Sequence, residues 1–70
     1  MGLKWDDVED LAMELADVHE GVDPLTVRFT ELHRMVTELE EFDDDPKAST
    51  EGKLEAIQMA WVDEYRERGE

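Results

Sequence analysis

Glu51-Gly52-Lys53-Leu54-Glu55-Ala56-Ile57-Gln58-Met59-Ala60-Trp61-Val62-Asp63-Glu64-Tyr65-Arg66 is the stretch whose reading decides the fold. Leu54, Ile57, Trp61 and Tyr65 recur three and four residues apart, the repeat of one face of an α-helix. Ser49 or Thr50 supplies an N-cap, because a short hydroxyl side chain can accept from the free N–H groups of a first turn. Gly52 weakens that turn. Arg66 and Arg68 suit the negative end of the helix dipole. Ala56, Met59 and Ala60 give the helix a second, mildly apolar face. The spacing predicts a helix over 50–66.

Working towards the N-terminus, the pattern stops at Asp43-Asp44-Asp45-Pro46. Three adjacent like charges repel, and the residue before a proline is pushed out of helical backbone. Ahead of this break Leu32, Met35, Val36 and Leu39 form a stripe, with Thr30 as cap and Phe42 as closure, so a second helix is expected over 30–42. Val27-Arg28-Phe29 reads as a short extended piece and Asp23-Pro24 as a turn or helix start. Val8, Leu11, Ala12 and Leu15 mark a first helix over 6–20. Asp6 and Glu9 resemble a capping box, and Gly21 is a ready stop. Glu9, Asp10, Glu14 and Asp17 fall on its opposite, wet face. Leu11, Leu15, Leu32, Val36, Leu39, Ile57 and Trp61 are the expected core. Three helices joined by short connectors predict a small all-α domain, with a winged-helix-like arrangement or an antiparallel bundle as the alternatives. No boundary or repeat divides residues 1–70, so a single domain is expected.

Composition bounds the partners. Lys plus Arg number 7 and Asp plus Glu 21, which sets the net charge at −14. Such a chain is repelled by nucleic acid, whose affinity comes from neutralised phosphates, and by anionic membranes; basic protein patches and cations attract it. No apolar run approaches a membrane span. Met1 to Trp5 lacks a signal peptide's hydrophobic stretch, and Asp6 stands where a myristoylation signal wants Ser or Thr, so a cytoplasmic protein is expected. With no cysteine, thiolate metal sites, disulfides and a Cys nucleophile are excluded.

The densest feature is Glu38-Leu39-Glu40-Glu41-Phe42-Asp43-Asp44-Asp45, with six carboxylates in eight residues. Carboxylate oxygens suit hard cations. The run fails the calcium-loop template, since counting from Asp43 puts Ala48 at the glycine position and Leu54 at the closing glutamate. Glu38, Glu41, Asp43, Asp44 and Asp45 are therefore candidates for an open, weak and exchangeable metal site; the competing reading is a solvated loop with loose counterions. Ala16 and Thr30 stand three residues before His19 and His33, so no Glu-x-x-His element exists. His19 reads as packing at the end of helix one, and His33 sits at the edge of a stripe. Ser49, the only serine, reads as a cap, and no phosphate-cradling loop or nucleophile motif occurs. The residues argue against an enzyme. Trp61 reads as core. Trp5, among Lys4, Asp6 and Asp7, reads as partly exposed, and Arg28 as half of a local ion pair.

Gly2-Leu3-Lys4-Trp5, then Asp23-Pro24-x-Thr26-Val27-Arg28-Phe29-Thr30-x-x-His33, then Leu39-Glu40-x-Phe42-Asp43-Asp44-Asp45-Pro46-x-Ala48-Ser49, and finally Leu54-Glu55-Ala56-Ile57 with Trp61-x-Asp63-Glu64 together resemble the small acidic IscX family, also called YfhJ. The likeness runs from Gly2 to Glu64. It implies a modified winged-helix fold, mostly helical, and a place in bacterial iron–sulphur cluster assembly. It also implies docking on the cysteine desulfurase through an acidic surface, at a site overlapping that of frataxin, and weak binding of ferrous or ferric iron by exposed carboxylates. The expected partner surface comprises Asp6, Asp7, Asp10, Glu40, Asp43, Asp44, Asp45 and Asp63. The leading expectation is a monomeric, non-enzymatic, iron-binding adaptor or regulator of the desulfurase. The alternatives are a pure interaction inhibitor with incidental metal binding, and an acidic DNA mimic.

Overall fold

Why the apolar stripes settle where they do is visible in a computed structural model, which describes residues 2–69. Of the domain expected over 1–70, Met1 and Glu70 lie outside the described residues. Three α-helices form: α1 over Val8–Val18, α2 over Phe29–Thr37 and α3 over Glu51–Gly69. Short 3-10 turns over Pro24–Thr26 and Pro46–Ala48 connect them. The stripes converge on one buried cluster that contains every expected core residue, Leu11, Leu15, Leu32, Val36, Leu39, Ile57 and Trp61. Trp5, Ala12, Ala16, Val27, Met35 and Leu54 join it, and Val62 is buried beside it. α1 packs chiefly on α3. Asp6 pairs with Lys53 and Asp17 with Arg68 at corresponding ends, so these two helices run in the same sense. Trp61 Nε1 is the buried side-chain polar atom left without a partner among the described residues.

The helix bounds depart from the expected ones for local reasons. α1 starts at Val8, not at residue 6, because Lys4 to Asp7 close a turn: Asp7 N donates to Lys4 O at 2.9 Å, and Lys4 N donates to the Asp7 carboxylate at 2.9 Å. The Asp7 carboxylate thus faces backwards, and no side chain caps α1. Asp6 is turned to Lys53 instead of capping. At the other end Gly21 has φ +84°, left-handed backbone that glycine adopts without strain. α2 begins one residue early, with Arg28 rather than Thr30 as its N-cap, and without a side-chain cap. Val27 and Arg28 keep the expected extended backbone.

The largest difference is at the end of α2, which stops at Thr37 and not near 42. Residues 39–42 form a turn closed by Phe42 N donating to Leu39 O at 3.1 Å. The N-terminal segment sets this boundary. Leu3 N donates to Glu41 O and Asp43 N to Leu3 O at 2.8 Å, a single parallel bridge between Leu3 and Phe42. A helix continuing through 42 would spend Asp43 N on Leu39 O and so break the bridge. α3 runs past the expected residue 66, steadied where Arg68 reaches back to Glu64 and across to Asp17. Its Thr50 Oγ1 accepts from Lys53 N at 3.2 Å, as a cap should.

Two Asp-Pro pairs are built alike. Asp23 accepts from Leu25 N at 3.0 Å and Asp45 from Lys47 N at 2.9 Å, each opening a 3-10 turn at the proline. Gln58 on α3 donates to Pro24 O at 3.0 Å and to Val27 O, which anchors the first turn to the long helix.

A strap-braced acidic shoulder as the candidate functional site

Six carboxylates in eight residues would splay apart unless other bonds held the backbone. Here a strap, Gly2 to Trp5, does so. Trp5 is 1% exposed, which corrects the sequence-based expectation of a partly exposed side chain. Its indole lies face to face with the His33 ring at 5.5 Å and edge-on to Phe42 at 4.9 Å. Trp5 N donates to the Asp44 carboxylate at 3.1 Å, and Trp5 Nε1 donates to Asp45 O at 2.7 Å. His33 Nε2 lies 2.6 Å from Pro46 O; a carbonyl only accepts, so the ring donates there. A Cβ on Gly2 would stand 2.1 Å from the Asp43 Cβ, so only glycine fits where the strap crosses the run.

These bonds sort the expected metal ligands. Asp44 is engaged on both oxygens, accepting from Trp5 N and from Asp45 N at 2.7 Å. The Trp5 and Asp45 N–H groups hold its carboxyl below the ordinary 3.8, with Lys4 and Lys53 adding attraction. Asp45 accepts from Lys47 N, Asp43 lies 3.8 Å from Lys4 Nζ, and Glu38 pairs with Arg34. Glu41 is exposed. Among the described residues no three His, Asp or Glu side chains are gathered in a way that could hold a metal ion. The oxygen donors suit a hard cation chemically, and their arrangement leaves it only the lone pairs that the backbone bonds do not take.

A pH titration tests the ionised role of Asp44. A carboxylate whose pKa is depressed on folding adds stability above its unfolded value, and that stability drains as pH falls through the folded value. Comparing wild type with Asp44→Ala by urea unfolding, the stability gap should be full above the ordinary 3.8 and close below it. A gap unchanged into strong acid would show that the ionised form contributes nothing.

The expected partner residues do not share one patch. Asp10, Glu40 and Glu41 line a groove between α1 and the turn after α2, together with Glu14 and Glu38. Asp43 lines a separate, shallow hollow with Gly2, Glu40, Glu41 and Phe42. Asp63 belongs elsewhere, in a cleft between α1 and α3 with Glu9, Glu64 and Glu67. Asp6 and Asp7 stand at the start of α1, Asp6 tied to Lys53. Arg28, expected in a local ion pair, makes none among the described residues, whereas Lys4, Arg34, Lys53 and Arg68 do. Sequence reading missed the Trp5–His33 stack, which joins residues 28 positions apart. It also missed Met13 and Val18, whose apolar character on the acidic face of α1 was the available signal.

Fold and surface together define a small acidic helical domain that displays carboxylates on its surface. The chain belongs to the iron-sulphur cluster assembly family, the IscX family that its motifs resemble, and the family's model matches residues 3–66. It is 52% identical over 64 residues to an uncharacterized protein of Pseudomonas aeruginosa, a match covering 91% of this chain and 97% of the relative. Among the described residues no helix is long and apolar enough to cross a membrane.

Proposed function

We propose that this chain is a non-enzymatic, iron-responsive adaptor that docks on a basic face of the cysteine desulfurase of iron–sulphur cluster assembly. The observation that carries the reading is the braced shoulder Glu38–Asp45, whose backbone is held by the strap while Glu40 and Glu41 stay exposed. A fixed array of like charge steers a basic partner into register and raises the on-rate more than the affinity. Iron is cargo in this reading. Glu38, Glu41, Asp43, Asp44 and Asp45 would bind it loosely, because the ion must compete with the backbone N–H groups for Asp44 and Asp45. Loose binding suits delivery or sensing. The same acidic surface disfavours nucleic acid and anionic membrane as partners.

Association of purified desulfurase with wild type and with a Glu40→Gln, Glu41→Gln, Asp43→Asn variant tests the docking. These three positions are chosen because Asp44 and Asp45 brace the backbone, so changing them would mix folding with binding. The on-rate should fall by roughly an order of magnitude at low salt and lose much of its salt dependence. Equal rates at low and high ionic strength would sink the acidic-surface mechanism. In parallel, ferrous iron should broaden amide signals chiefly between Glu38 and Asp45 and quench Trp5, which packs on that run. Chelator should leave the circular dichroism unchanged, since the core is complete without an ion. Broadening at His19 or His33 alone would mean different ligands.

A further inference from the structure

The groove between α1 and the turn after α2 has a floor that the docking reading does not use. Leu3, Met13, Val18, Met35 and Leu39 line it, in a cavity of about 630 Å³. Met35 and Leu39 belong to the core, but Met13 is 43% exposed and Val18 60%. Most of the remaining wall is acidic: Asp10, Glu14, Glu38, Glu40 and Glu41 line the groove, and no lysine or arginine does. An isolated exposed apolar side chain is ordinary, whereas an apolar trough rimmed by one sign of charge is complementary to something.

We infer that this groove is a docking channel for a basic amphipathic helix of a protein partner, with Met13 and Val18 as the anchoring contacts. The charge rim selects the occupant. Glu38 already has Arg34 beside it, but an acidic or neutral segment would set Asp10, Glu14, Glu40 and Glu41 against like charge or strip them of water, while Lys and Arg beside apolar side chains satisfy both rim and floor. A second copy of this chain, at −14, is the wrong sign. One wall is the face of α1 and the other is Met35 with the turn after α2, so the groove offers side chains of a helix face, which suits helix-in-groove recognition with anchors three and four residues apart. Methionine suits such a floor because its unbranched thioether adapts to the side chain it meets. The inference rests on the adaptor reading for the identity of the partner, and adds that binding has an apolar anchor as well as electrostatic steering.

The test uses the full chain, a short Leu/Lys amphipathic helical peptide as probe, and a lysine-only peptide of equal charge as control. A Met13→Gln, Val18→Gln variant keeps helix-forming residues at both exposed positions, and circular dichroism checks its fold. The amphipathic peptide should bind wild type more tightly than the lysine-only peptide. The variant should weaken the amphipathic peptide about tenfold, the loss expected when two half-exposed apolar contacts disappear. Binding of the lysine-only peptide should not change. If both peptides bind equally and ignore the variant, the groove is no docking channel. That result leaves the adaptor reading intact, which is judged separately by the desulfurase and the Glu40, Glu41, Asp43 variant. Conversely, a desulfurase that ignores ionic strength would defeat the adaptor reading without deciding the groove.

Discussion

Replacing Trp5 by alanine is expected to remove about half of the protein's stability at room temperature. A buried tryptophan cut to alanine costs about 3–5 kcal/mol, from lost transfer energy and the cavity left behind. A domain of this size has about 4–10 kcal/mol in total at ordinary stability per residue. Trp5 is also more than filler. It stacks on His33, meets Phe42 edge-on, and donates to Asp44 and Asp45 from its backbone and ring nitrogens. Removing it should therefore loosen the Glu38–Asp45 shoulder before the helices melt. Amide exchange should show early loss of protection at Leu3 and Asp43, whose N–H groups form the bridge. Trp5→Phe is the informative companion. It keeps most of the packing and loses the ring N–H to Asp45 O, for a cost of about 1–3 kcal/mol. Urea unfolding followed by circular dichroism reads both variants. If Trp5→Ala lay within about 1 kcal/mol of wild type, the strap would be decoration and not a brace.

Ile57→Ala is the second large effect, and it tests the seating of α3 on α1. Ile57 is fully buried at the centre of α3, in the same cluster as Leu11 and Leu15 of α1. A loss of about 2–5 kcal/mol is expected, with the spread set by how far the helices can collapse into the space. Leu25→Ala is the matched control. Leu25 is 61% exposed on the first 3-10 turn, so its truncation should fall within about 0.5 kcal/mol of zero. Similar costs for the two variants would mean that α3 is not seated on α1 as described. The two large effects should also differ in kind. Ile57→Ala should lower stability throughout, whereas Trp5→Ala should first release the acidic shoulder, read as early amide exchange at Leu3 and Asp43, even under conditions where the helices persist.

How far the sequence alone could be read depends on the range of the interaction involved. The helices and their buried faces were legible, because periodicity and burial are set by neighbours three and four residues apart: Leu11 and Leu15, Leu32 and Val36, Ile57 and Trp61 all lie where their spacing put them. The breaks at Gly21 and at both Asp-Pro pairs were legible for the same reason. The end of α2 was not. Leu39 and Phe42 continue its stripe, so local spacing extends the helix through them. Only pairing with Leu3, 39 positions away from Phe42, makes the chain turn at 39–42. Trp5 failed to declare itself for a related reason. Its sequence neighbours Lys4, Asp6 and Asp7 are polar, while the atoms that bury it come from His33 and Phe42.

The candidate site divides along the same line. Residue types fixed the strong negative charge, the supply of carboxylate oxygens and the lack of thiolates, since those are properties of the side chains themselves. Tertiary structure decided what each carboxylate lies beside. Asp44 and Asp45 hold the backbone, Glu40 and Glu41 face a groove, and Asp63 belongs to another cleft. A carboxylate's identity is written in the chain, but its availability depends on which N–H groups, cations and apolar surfaces the fold brings beside it, and those arrive from distant parts of the chain.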